Sequence, residues 1–359
     1  MRVAVIGAGV IGCATALELA KRGAEVVLLE RAVPGSEASS AAAGMLGAGA
    51  EIDEDDPEQI ERLVRARDAY GPWIEELRGE TGIDVGYRVS GILIVMTGDP
   101  VERERLTRIV ALQRARGQRA ELIDGVQARS IEPELSADVG ACAYFPDDSQ
   151  VDPPALLRAL VASLAKKRNV SLRSGAVVER MLLEGGRCTG VALAAPPAAG
   201  QSNVVQADAT VLAAGSWSSL LPGIEKELAP VRPARGQVVQ LEERPPRLAT
   251  PIVRGPAYAI PRGDGRVYCG STVEFVGYRR EITAGAVRDI LDGTIRTIPS
   301  LAEASLSSTW MGFRPHAERP LVGRSSIPGL FWATGHYRSG IVLAKITADD
   351  IAQSIFASS

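Results

Sequence analysis

Gly7, Gly9 and Gly12 in the run GAGVIG stand between a short apolar segment, VAVI (3–6), and a stretch with the periodicity of a helix. That spacing suits a dinucleotide pyrophosphate. The first glycine makes the tight turn, the second admits the diphosphate to the backbone, and the third lets helix meet strand. The helix start then offers N–H groups and a positive dipole end to the phosphates. Glu30 closes the next apolar run, AEVVLLE, 18 residues after Gly12, where a carboxylate can accept hydrogen bonds from ribose hydroxyls. This fingerprint serves NAD and FAD alike, so the choice rests on other features able to line a longer ligand. Ser36, Ser39 and Ser40 bring hydroxyls into GSEASSAAAGMLGAGA (35–50), where small residues let a ligand run along bare backbone. ATVLAAGSWS (209–218) breaks at Gly215 before Trp217, and GLFWATGHYRSGI (329–341) ends a strand at Gly335 with a helix expected to open near Ser339. A helix start aimed at a flavin can stabilise the anion of its reduced form.

These residues need a frame that delivers them to one place. VAVI, the helix near 10–22 and AEVVLLE make an opening βαβ unit, its strands apolar throughout as in a sheet covered on both faces. The small-residue stretch leads through an acidic run, EIDEDDPE, into a periodic helix carrying Ile60, Leu63, Tyr70, Ile74 and Leu77, and so belongs inside a domain. GYRVSGILIVMT reads as strand, 101–116 as helix, and Pro153-Pro154 as the start of another helix. Short strands follow through VSLRSGAVVERMLLEGGRCTGVAL and ATVLAAG, with APPAAGQSN expected as a hairpin loop. Beyond Pro222, QVVQLEE, TPIVRGPAYAI and RVYCGSTVE read as antiparallel strands, PRGDGR turning between the last two. A final strand, GLFWATG, feeds a helix from about Arg338 to Phe356. The fold class is therefore α/β: a Rossmann-like nucleotide-binding domain with an inserted antiparallel-sheet (α+β) domain. No repeat of 20 to 50 residues is evident.

Composition narrows the function classes. The 359 residues suggest two domains, and 46% hydrophobic content with a net charge of -3 fits an ordinary globular chain. The 40 basic and 43 acidic residues nearly cancel, so no nucleic-acid partner is expected. Cys13, Cys142, Cys188 and Cys269 form no CxxC pair, and with only His316 and His336 no zinc site is expected. Such thiols suit a reducing cytosol, and a cytoplasmic location is expected. Met1-Arg2 before the apolar N-terminal run imitates a secretory signal, but its glycines and the lack of a small-residue cleavage site argue against one, and the run ending at Glu18 is too short to span a bilayer.

GAGVIG with Glu30-Arg31, SSAAAGML, VLAAGSWS, GFRP and GHYRSGIVLAKITA together resemble the D-amino-acid oxidase family of FAD-dependent flavoproteins, across nearly the whole chain. Within it the pattern is most similar to the glycine oxidases that serve thiamine thiazole formation. The resemblance implies an FAD-binding domain from 1–84, 147–222 and 318–359, and a substrate domain from 85–146 and 223–317. It implies FAD held without a covalent bond, there being no cysteine or histidine where covalent relatives attach it. Its FAD contacts fall on Gly7, Gly9, Gly12, Glu30, Arg31, Ser39, Ser40, Gly44, Met45, Val178, Gly215, Gly335 and Ser339, with His336 and Gly340 in the same run. Carboxylate recognition falls on Arg314 and Arg338, with Tyr258 beside them. The chemistry suits those types: a guanidinium offers a carboxylate two charge-assisted hydrogen bonds and a tyrosine hydroxyl a third. Since 35 of the 40 basic residues are arginine, being an arginine carries no signal by itself; these two each lie two residues from a glycine in an apolar strand-to-turn setting. HAERPLVG after GFRP is shorter than the family's turn, and Val273 replaces a methionine, so a slightly wider pocket is expected.

The implied reaction oxidises glycine, and with less weight sarcosine or small D-amino acids, by transfer of the α-hydride to flavin and reoxidation by oxygen, giving glyoxylate, ammonia and hydrogen peroxide. That route needs no histidine base, so His336 is assigned a positional or hydrogen-bonding role and His316 a structural one. Asp147 and Asp148 read as turn and cap residues. The alternative activity is a D-amino-acid or sarcosine dehydrogenase passing electrons to a carrier; a nicotinamide dehydrogenase and a non-catalytic nucleotide-binding subunit compete more distantly. A homo-oligomer is expected, and a thiazole synthase is a conceivable partner.

Overall fold

The computed structural model describes residues 1–49, 51, 57–195, 202–224 and 231–357. Strand β1 (Arg2–Ile6), helix α1 (Val10–Lys21) and strand β2 (Glu25–Glu30) form the opening unit, with β1 and β2 parallel. The strands Val170–Ser174, β2, β1, Ala209–Leu212 and Leu330–His336 lie side by side in that order, all parallel. Their apolar runs are explained by burial on both faces. Val3 and Val5 point into a core with α1 and the helices Pro153–Ala165 and Ala344–Phe356, while Ala4 and Ile6 point into another with Met181, Cys188 and Val191 of a three-stranded antiparallel sheet.

The sheet does not stop at the nucleotide-binding part. Ser305–Arg324 pairs antiparallel with Leu330–His336 on one side and with Arg232–Glu242 on the other, so a single 13-stranded sheet runs on into the antiparallel part. One strand thus carries Arg314 from the antiparallel half toward the nucleotide-binding half. A third core, with Leu93, Val239, Ile252 and Ile290, lies beneath the helix Ala284–Thr297 on the antiparallel part.

Several local expectations change. The periodic segment from Ile60 to Leu77 is two helices, Pro57–Asp68 and Tyr70–Thr81, because Pro72 has no N–H to offer the carbonyl of Asp68. TPIVRGPAYAI splits into the hairpin strands Ile252–Arg254 and Ala257–Pro261. HAERPLVG is no turn; it continues the strand Ser305–Arg324, with a register shift between His316 and Leu321. The last helix begins at Ala344 rather than near Arg338, and residues 337–343 form turns in which Tyr337 takes a positive φ of 48°. The buried Tyr70 hydroxyl donates to the Ile341 carbonyl and anchors that turn. Most of the acidic run (52–56) and the centre of APPAAGQSN (196–201) lie outside the described residues.

Candidate active site

The strand order reverses between β1 and Ala209–Leu212, and a cavity of about 430 Å³ opens at the carboxyl ends of these strands, where open α/β sheets bind their ligands. Gly7 and Gly9 line it at the end of β1, and Gly215 lines it beyond Ala209–Leu212. Gly7 has a φ of +97°, and a Cβ there would strike the backbone of Ala213. Gly12 does not line the cavity; a side chain on it would collide with the Gly7 carbonyl, so it allows α1 to sit close against the turn.

At this end Glu30 is buried, its Oε2 accepting from Ala8 N–H and its Oε1 from Ala32 N–H, both at 2.9 Å. A carboxylate has about four lone-pair positions, so two remain for hydroxyls in the cavity. Ser39 accepts from Val10 N–H at 3.0 Å, which draws the small-residue segment onto the start of α1. Arg31 lies over the Trp217 ring, 3.8 Å from its centroid, and pairs with Glu37. Val178, Gly44 and Met45 add wall. Ser40 turns away and donates to the Glu37 carbonyl, and Gly335 likewise stays out of the lining.

The substrate-side candidates meet at the other end. Arg314 is half-buried and donates through Nη1 to the Thr272 carbonyl at 3.0 Å and through Nη2 to Ser271 Oγ at 2.6 Å. Gly236, diagonal to it on the neighbouring strand, leaves room for its guanidinium. Tyr258 lies over Gly270 and lines the cavity with Val273, which is itself half exposed. Arg338 also lines the cavity but is exposed, at the rim, with Gly340 close by. His336 is buried, its Nε2 3.0 Å from Thr347 Oγ1, and burial pulls its pKa down to about 3, with Arg62 adding to the effect. The ring lines the cavity, but a value near 3 makes it too weak a base to hold a proton at ordinary pH, and its Nε2 is taken by Thr347.

Glu51, which the sequence reading passed over, lines the same end. Its only signal was its position as the first acid after the small-residue stretch. Burial pushes its carboxyl up to about 7, with Asp148 adding to the rise and Arg338, a Ser339 hydrogen bond and Arg314 opposing it. Ser339 therefore reaches the site through Glu51 rather than by lining the cavity. Asp148, fully buried, accepts from Ala48 N–H and Gly49 N–H, both at 3.0 Å, and pairs with Arg67 at 3.4 Å. The expected cap residue thus pins the loop that presents Glu51. Asp147 instead pairs with Arg119 at the surface. Among the described residues no acid, histidine and cysteine cluster could hold a metal, and no helix is long and apolar enough to cross a membrane.

The residues present fit an extended dinucleotide. The glycine turn leaves a side-chain-free cradle, the N-cap Gly9 has no side chain to occupy the helix start, where Ser39 takes only the Val10 N–H, and the Glu30 carboxylate retains free acceptor positions beside it.

Comparison with known proteins agrees. The family model described as FAD dependent oxidoreductase matches residues 2–354. The bifunctional protein ThiO/ThiG of Trichormus variabilis is 36% identical over 98% of this chain, which spans about half (52%) of that relative's length. The glycine oxidase of Geobacillus kaustophilus is 32% identical over 96% of this chain and 90% of its own. The crystal structure of glycine oxidase from Geobacillus kaustophilus superposes with a TM-score of 0.91 at 31% identity, covering 99% of this chain and 95% of that one. A glycine loop, a ribose-side carboxylate and a polar far end in one cavity are what an FAD enzyme requires, and the chain belongs to the DAO family of FAD-dependent oxidoreductases.

Proposed function

We propose that this enzyme oxidises glycine, and more slowly sarcosine or small D-amino acids, with oxygen as the electron acceptor, yielding glyoxylate, ammonia and hydrogen peroxide. The observation that carries this reading is that one cavity joins the fingerprint and Glu30 to Arg314, Arg338 and Tyr258. Bound FAD, held non-covalently, supplies the two-electron oxidation at the substrate's α-carbon. The chain's residues do the rest. Gly7, Gly9 and the start of α1 hold the pyrophosphate, and Glu30 holds the ribose. Arg314 has two of its five N–H donors committed to Thr272 and Ser271, which leaves three toward a substrate carboxylate. Arg338 and the Tyr258 hydroxyl complete that contact and aim the α-carbon inward. The names of the relatives support glycine as substrate and a place beside thiazole formation. A cytoplasmic location belongs to the same reading.

The test is anaerobic mixing of purified yellow protein with glycine, then admission of air. Flavin bleaching, oxygen uptake and glyoxylate formation are expected. Bleaching without reoxidation by oxygen points instead to a dehydrogenase, and colour that stays in an acid-precipitated pellet refutes non-covalent FAD.

A further inference from the structure

An amino acid in neutral water carries an ammonium group, whose nitrogen has no electron pair to share while the α-carbon is oxidised. One proton must leave first. His336 is unsuited: burial holds its pKa near 3, too low to keep a proton at neutral pH, and its Nε2 is bound to Thr347. Glu51 is differently placed: it lines the cavity with Arg314, Arg338 and Tyr258, and its Oε2 is buried with no hydrogen-bond partner among the described residues. Its carboxyl is steadied by Ser339, and its loop is held by Asp148.

We propose that Glu51 accepts the proton of the substrate's ammonium group at Oε2. This deepens, and rests on, the amino-acid oxidase reading above. The two arginines take the carboxylate end of the zwitterion, and Glu51 meets the opposite charge at the nitrogen. The N–H bond breaks, the proton bonds to Oε2, and the electron pair stays on nitrogen. The neutral amine then gives up its α-hydrogen with that bond's electron pair, the flavin being the oxidant, and the acid returns its proton to solvent. The charged groups facing Glu51 are Arg338 and Arg314, which favour its ionised form, and Asp148, which opposes it and is itself paired with Arg67. The resulting midpoint of about 7 suits a base near neutral pH, strong enough to accept a proton, half unprotonated at the midpoint and increasingly so above it.

The experiment compares holoenzyme, Glu51→Gln and Glu51→Asp between pH 6 and 10. Flavin reduction by glycine is followed anaerobically, and glycolate, which has the carboxylate but no ammonium, is titrated against the bound flavin's spectrum. In the wild type the reduction rate over dissociation constant should rise through a midpoint near 7 and level off. In Glu51→Gln it should fall about 100-fold at pH 7 and recover only at alkaline pH, where free glycine loses its own proton. Glu51→Asp should restore part of the loss. Glycolate should bind both variants as well as wild type or better, since a negative charge has been removed or withdrawn. An unchanged pH profile in Glu51→Gln overturns the proposal, as does a loss of glycolate binding parallel to the loss with glycine, which would make Glu51 a wall of the carboxylate site. A wild-type flavin that no small amino acid reduces at any pH overturns the oxidase reading, and Glu51 with it.

Discussion

Arg314 and Arg338 carry the same charge into the same cavity, yet their settings differ enough to rank them. Arg314 is half-buried, and its fork is pre-set by the Thr272 carbonyl and Ser271 hydroxyl at 3.0 and 2.6 Å. Removing one partner of a buried charge pair costs about 2–5 kcal/mol, and a half-buried site belongs at the lower end, about 2–3 kcal/mol. At about 1.4 kcal/mol per decade, Arg314→Ala should lower kcat/KM for glycine roughly thirty- to a hundred-and-fifty-fold. Arg338 is exposed, where water screens a charge pair to about 1 kcal/mol or less, so Arg338→Ala should cost about fivefold. Arg314→Lys should recover little, since an ammonium cannot serve Ser271, Thr272 and a carboxylate with one planar fork. Because Arg314 also favours the ionised form of Glu51, its loss should move the activity midpoint upward from about 7. The assay is steady-state oxygen uptake with glycine from pH 6 to 10 for each variant. A larger loss in Arg338→Ala than in Arg314→Ala would refute the reasoning from burial.

Glu30→Ala should speed FAD release by about tenfold or more, read from the rise in free-flavin fluorescence, because about 1.5–3 kcal/mol attends each hydrogen bond to a charged group; turnover per bound flavin should change little. His336 gains stability only while neutral: its folded value near 3 lies below its usual 6.5, so the unfolded chain takes the proton first and stability falls as pH drops from about 6.5 toward 3. His336→Gln should therefore flatten the acid limb of urea midpoints by about one proton's slope. Asp148→Asn replaces an acceptor of both Ala48 and Gly49 N–H groups by an amide that cannot accept from both and keep the Arg67 pair, so denaturant unfolding should show a loss of about 1–3 kcal/mol.

The nucleotide end of the cavity was legible in the chain because its determinants are local. Gly7, Gly9 and Gly12 act through backbone geometry within six consecutive residues, and Glu30 follows where β2 must end. The alternation of Val3 and Val5 with Ala4 and Ile6 likewise demanded a strand buried on both faces, and it is one. The far end was legible only in part, through the resemblance of GFRP and GHYRSGI to a known pattern. A nearby glycine in an apolar run is all that locally sets Arg314 apart from most of the 34 other arginines; the difference that matters lies in Ser271, Thr272 and Gly236, which pairing between distant strands brings to it. Ser40 and Ser39 are neighbours of one type, yet one faces α1 and the other its own turn, because the helix-like pitch there points successive side chains apart. Glu51 looked like the head of a solvated acidic run, since sequence records its charge but not its surroundings. Its raised pKa exists only once folding removes water and sets Arg314, Arg338 and Asp148 around it. Short-range backbone geometry is written in residue type and spacing, whereas the electrostatics of a site belong to groups far apart in the chain and arise only when the fold brings them together.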